Sequence, residues 1–186
     1  MKKIGFIGAY DKTDLLIYIA KLLVENDVKV LIVDATTLQK TRYTVPCIMP
    51  SRKYITTYED MDIAIGFENL QEIMNYAGTQ EFNYDIMLLD IDNREAFENF
   101  EMYTSDKNYF VTAFDNYSIK KGLETVGQSE EKMLMTKILF SKNMDRDEDE
   151  YLNFLSFYYA VKWSKEKIYF PFEAGDSSVI VQNQRN

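Results

Sequence analysis

The stretch that decides the fold is Lys2-Lys3-Ile4-Gly5-Phe6-Ile7-Gly8-Ala9-Tyr10-Asp11-Lys12-Thr13-Asp14. Its apolar run ends at Gly8, a short polar turn carries Lys12-Thr13, and Leu15, Leu16, Ile19, Leu22 and Leu23 follow at three- and four-residue spacing. That pattern predicts a strand, a tight turn and a helix over Thr13 to Asn26. A helix start bearing lysine and a hydroxyl is the layout of a phosphate-binding loop. Backbone N–H groups and the helix dipole attract the anion, the lysine reaches the phosphates, and the hydroxyl ligates Mg²⁺. Yet most glycines that such a loop uses are absent.

Outward from this stretch, strands and helices alternate. Val28–Val33 is a β-branched run ending at Asp34, the pattern of a parallel strand buried on both faces. Tyr84–Asp90 reads as a second core strand, with further strands at Asp62–Phe67, Asn108–Ala113, Met133–Phe140 and Ile168–Pro171. Helices are expected from Leu70 to a stop at Gly78, near Arg94–Tyr103, over Asn116–Gly127, and from the acidic run Asp145–Glu150 to about Ser164. Between Asp34 and Glu59 the pattern is irregular, and Arg42–Met49 with Lys53–Tyr58 reads as a hairpin around Pro50. The expectation is an α/β fold, a mostly parallel sheet with helices on both faces, as one domain over 1–186.

Composition narrows the function classes. The chain has no histidine, which removes Ser-His and Cys-His nucleophiles and most zinc sites. Its one cysteine, Cys47, forms no intrachain disulfide and fits a reducing compartment. A net charge of −9 disfavours nucleic acid and anionic lipid as partners. No signal peptide or apolar run of membrane-spanning length is found, so a cytoplasmic location is expected. All four charged residues between Asp34 and Glu59 are basic: Lys40, Arg42, Arg52 and Lys53. This island reads as a solvated loop, with an anion or partner site as the alternative.

In open α/β sheets, ligands bind beyond the carboxyl ends of the strands. Lys12-Thr13, Asp34 and Asp90 all stand at such ends. With them the whole chain resembles the MinD/ParA family of P-loop ATPases, whose deviant loop reads Lys-Gly-Gly-x-x-Lys-Thr. Val30–Asp34 is similar to the family's "vLliDaD" segment, and Tyr84–Asp90 to its "yDyviiD" strand. Val111-Thr112-Ala113 with Ser118–Leu123 resembles its "vt…s…a" region, and Phe170-Pro171-Phe172-Glu173 its "iPyd" segment. The resemblance implies ATP and Mg²⁺ as cofactors. It implies Lys12 and Asp34 as catalytic residues, and Thr13 and Asp90 as metal ligands. Gly8, Ala9, Tyr10, Asp11, Lys12, Thr13, Asp14 and Pro171 would bind the nucleotide.

The departures are as informative. Ile7 stands in place of the signature lysine that in the family reaches across a nucleotide-sandwich dimer. Phe6, Ala9 and Asp11 stand in place of glycines. A carboxylate about 4 Å from a phosphate charge costs roughly 4 kcal/mol at an effective dielectric near 20, about a thousandfold in affinity. Pairing with Lys12 would soften that repulsion but occupy the lysine. Thr36 stands where many members have a second acidic residue after Asp34, and Ser141 stands near the place where an asparagine in the family often reads adenine.

The reading that follows is a degenerate MinD/ParA-like protein, weak or silent as an ATPase. It would act as a regulator or scaffold through a protein partner in a positioning, secretion or pilus-assembly system. The alternative is an active Mg-ATP switch that forms a homodimer. Tyr151–Trp163, apolar around most of its circumference, reads as a buried helix or a docking face. Ser177–Asn186 lacks the basic amphipathic pattern of a membrane-targeting helix.

Overall fold

A computed structural model describes residues 1–46, 51–141 and 146–171, with the side chains of 146–148 left out. Cys47, Asp145, the Phe172-Glu173 part of the "iPyd" resemblance and Ser177–Asn186 lie outside the described residues.

The first strand β1 (Lys2–Ile7) leads into helix α1 (Thr13–Val24) and strand β2 (Val30–Asp34). A short helix α2 (Thr41–Thr44) is followed by β3 (Tyr54–Tyr58), β4 (Met61–Ile65), α3 (Leu70–Ala77) and β5 (Ile86–Ile91). After α4 (Arg94–Asn99) and a 3₁₀ turn at Met102–Thr104 come β6 (Lys107–Ala113), α5 (Asn116–Val126), β7 (Met133–Phe140), α6 (Arg146–Ser156) and β8 (Val161–Phe170). The eight strands form one sheet in the order β3-β4-β2-β5-β1-β6-β7-β8. All pairs are parallel except β3 with β4.

Successive strand residues face opposite sides, and both sides are apolar. Ile7, Val33, Leu89 and Phe110 pack with Phe97, Ile119, Leu123 and Leu152 on one face. Phe6, Ile32, Leu88 and Val111 pack with Leu15, Leu16 and Ala20 on the other. This double burial is why the strands read as near-continuous hydrophobic runs. Asn69, Asn93 and Asp115 cap α3, α4 and α5 with side-chain oxygens, and Gly78 ends α3 at φ 67°.

Three expectations are corrected. The hairpin is β3–β4, turned by Glu59 and Asp60 at positive φ, while Thr41–Thr44 is helical rather than a strand. The helix at Arg94 stops at Asn99 because Glu101 adopts a left-handed conformation, φ 51°. The last helix ends at Ser156 instead of Ser164, and Trp163 lies on β8, edge-on to Phe110 at 5.4 Å. On β8 the pairing to β7 jumps from Met135↔Trp163 to Lys137↔Lys167, so Ser164-Lys165-Glu166 bulges beside Thr136.

Candidate functional site

Parallel pairing sets the site. Asp34 of β2 is in register with Asp90 of β5, and Asp90 with Phe6 of β1, so the three strand ends meet next to the turn of residues 8–12. Gly8 opens that turn at φ 147°, and a Cβ there would lie 2.1 Å from the Val111 carbonyl oxygen. Glycine is therefore required at this position by the strand beside it. Phe6 is a strand residue stacked on Tyr109 at 5.1 Å, so the place read as a missing loop glycine lies in the sheet. Ile7 is wholly buried in the core.

Lys12 is 2% exposed, and its ammonium turns back into its own loop. It donates to the Gly8 carbonyl at 2.5 Å and the Tyr10 carbonyl at 3.1 Å, and pairs with Asp90 Oδ1 at 2.9 Å. The Asp90 contact is an ion pair rather than an aligned hydrogen bond. An ammonium has three donors, and three oxygens surround this one. Burial pushes the Asp90 carboxyl up to about 7, with Lys12 pulling down and Asp34 pushing up.

Asp34 is equally buried. It accepts from Thr36 N at 3.0 Å, Thr36 Oγ1 at 2.6 Å and Thr41 N at 3.1 Å, and so shapes the segment that follows β2. Thr36 acts there as a partner of Asp34. Thr13 is buried at the start of α1, and Asp14 lies in the helix's first turn, where a carboxylate suits the positive end.

Asp11 does not pair with Lys12. One oxygen accepts from Thr13 N at 3.1 Å and the other from Lys40 Nζ at 2.9 Å. Burial raises its pKa, but the bonds from Lys40 and Thr13 outweigh that and hold it below the usual range. The cause is geometric: Lys12 points inward and Asp11 outward. Two other residues of the basic island are engaged likewise. Arg42 donates to Ser51 and Arg52 carbonyls and Gln39, and Lys53 pairs with Glu72.

Tyr10, whose carbonyl receives Lys12, stacks its ring on Phe140 at 4.7 Å, and Phe140 stacks on Phe170 at 5.0 Å. Ser141 N donates to the Phe170 carbonyl at 3.0 Å, which places Ser141 and the exposed Pro171 beside this column. Ala9 is half-buried in the turn. Lys40, Thr41 and Phe140 were not read from sequence as parts of the site. Lys40 reaches Asp11 across 29 positions, and no local pattern announces such a pair.

No family model and no curated protein matches the chain. Solved structures do. It is similar to a ParA family ATPase from Chlorobium tepidum (13% identity, 98% of this chain, 89% of that one, TM-score 0.62). It is similar to a chain of the MinC:MinD cell division protein complex from Aquifex aeolicus (15%, 99%, 90%, 0.58). A plasmid partition protein from Borrelia burgdorferi bound to AMPPNP also matches (11%, 100%, 90%, 0.53). The fold is that of the MinD and ParA P-loop ATPases.

On that fold the residue types for Mg²⁺ and a polyphosphate are present in Lys12, Thr13, Asp34 and Asp90. Their arrangement does not fit such a group. The ammonium is already surrounded, and the Asp11 carboxylate stands in the turn itself. Among the described residues no three metal-binding side chains converge, and no helix is long and apolar enough to cross a membrane.

Proposed function

We propose that the chain is a degenerate MinD/ParA-like cytoplasmic protein that regulates or scaffolds a positioning, secretion or pilus-assembly system through protein contacts. Its ATPase activity is weak or absent. The observation that supports this is Lys12, whose ammonium is held by Gly8, Tyr10 and Asp90 instead of facing an open cradle. Asp11 adds a carboxylate where a phosphate would approach, and its tie to Lys40 keeps it charged. The test is calorimetry with Mg-ATP together with phosphate release. Little or no heat and no hydrolysis are expected. Tight binding, with hydrolysis abolished in Lys12→Ala, would refute the reading.

One observation favours a second reading, an ATP switch that dimerises. Lys12 pairs with Asp90, which is in register with Asp34, and Thr13 follows Lys12 in the chain. A nucleotide that drew Lys12 out of its own loop would leave Lys12 and Asp34 as candidates for catalysis and Thr13 and Asp90 for the metal. Nucleotide-dependent doubling of mass in sedimentation would support it, and an unchanged mass would exclude it.

A further inference from the structure

Helix α6 turns Leu152, Ser156 and Asp149 towards the sheet, all buried. A helix docked on one face assigns its outer face to polar residues. Here the outer face and the turn after it carry Phe154, Phe157 and Tyr158, which are 68%, 73% and 65% exposed. Phe157 and Tyr158 meet edge to face at 5.6 Å. Tyr151 continues the surface towards α5, where its hydroxyl donates to Asn116 Oδ1 at 3.3 Å beside the exposed Tyr117. Three rings, each showing about two-thirds of its area, present roughly 400 Å². That is about the size of the largest apolar patch on a typical monomer, which is often a functional one.

Among the described residues, the charges around this patch are mostly acidic. Glu130 and Glu131 are exposed in the loop that reaches it, and Glu150 is exposed one helical turn before Phe154. Lys132, in the same loop, donates to the Phe157 carbonyl at 3.1 Å and lies 5.3 Å from that ring's centroid, so it is already committed to the patch. With a chain net charge of −9, a second copy or an anionic bilayer would meet like charge.

We propose that this face docks a basic amphipathic helix of a partner protein. The partner's aliphatic stripe would cover Phe154, Phe157 and Tyr158, and its lysines or arginines would lie against Glu130 and Glu131. The inference stands apart from the loop and does not depend on whether ATP binds.

The probe is a labelled synthetic Leu/Lys amphipathic helix of about 18 residues, long enough for five turns. Its binding to the full chain is followed by fluorescence anisotropy beside a charge-reversed Leu/Glu counterpart. The Leu/Lys helix is expected to bind and the counterpart not. Phe154→Ser with Phe157→Ser should weaken binding by about tenfold or more at an unchanged melting temperature. Tyr158→Ser alone gives the same readout should that double variant melt early. Glu130→Lys with Glu131→Lys should weaken it several-fold. Absence of binding, equal binding of both peptides, or indifference to the serine variants would overturn the proposal. So would a dimer lost in those variants, or flotation with phosphatidylserine vesicles.

Discussion

Among the described residues two lysine–aspartate pairs are buried, Lys12–Asp90 at the end of β5 and Lys137–Asp149 between β7 and α6, and they are built in opposite ways. Lys137 meets Asp149 Oδ1 at 2.5 Å, also donates to Asn153, and lies over the Trp163 ring at 4.9 Å. Asp149 receives a second cation, Lys167, on its other oxygen. Lys12 instead takes two backbone carbonyls of its own turn and shares one aspartate, which has Asp34 as its neighbour. The titration follows. Burial pushes both carboxyls up, but at Asp149 two lysines reverse the shift, whereas at Asp90 it persists to about 7. The first pair rivets a helix to the sheet, and the second closes a turn without fully neutralising it.

The largest expected effect lies at the rivet. Asp149→Ala should cost about 3–5 kcal/mol in urea unfolding, because Lys137 would be left buried and unpaired. A cost below 1 kcal/mol would remove the distinction between the pairs. Next comes Asp90, whose raised pKa makes the neutral form the one that folding favours. Its contribution is complete below about pH 4 and is lost as pH rises through about 7, a change on the order of a few kcal/mol. Asp149, held low, contributes above its unfolded pKa and loses that only as pH falls through its folded value. Wild type minus Asp90→Asn stability, measured from pH 4 to 8, should therefore fall with pH, and a flat difference would refute the assignment.

Asp11→Gly sharpens the comparison from the ligand side. Mg-ATP should shift the wild-type melting temperature by less than about 1 °C. The variant should shift by several degrees if saturation reaches about 100 times Kd. A strong wild-type shift that the variant does not exceed would show that charge repulsion is not the obstacle. The smallest effect belongs to Lys40→Ala, which breaks a half-exposed pair and should cost less than about 1 kcal/mol in the same urea assay.

The sheet was legible because its strands are buried on both faces. Val30–Val33 and Met87–Leu89 have no polar interruption, and Asp34 and Asp90 mark their ends. The convergence of Lys12, Asp34 and Asp90 followed from the same ends. What failed to show depends on contacts remote in sequence. The extended reading of Arg42–Met49 overlaps the helix Thr41–Thr44, whose first amide donates to Asp34. The apolar run 151–163 looked like one helix because an aromatic-rich turn and the start of a strand continue its hydrophobicity. The pairing of Val161–Trp163 with Met133–Met135 and the packing of Trp163 against Phe110 separate them. The direction of Lys12, inward to Asp90 instead of outward to Asp11, goes with the Gly8 and Tyr10 carbonyls and an aspartate remote in sequence, which no spacing encodes.

The bulge at Ser164-Lys165-Glu166 has a consequence for the molecule at high concentration. An outermost strand offers a row of amides and carbonyls on which another chain can lengthen the sheet, the first step towards fibres. Here the row is broken in mid-strand, and Lys162 and Lys165 stand exposed along it. At the opposite margin β3 is only five residues long. Among the described residues, both margins of the sheet thus resist templated growth.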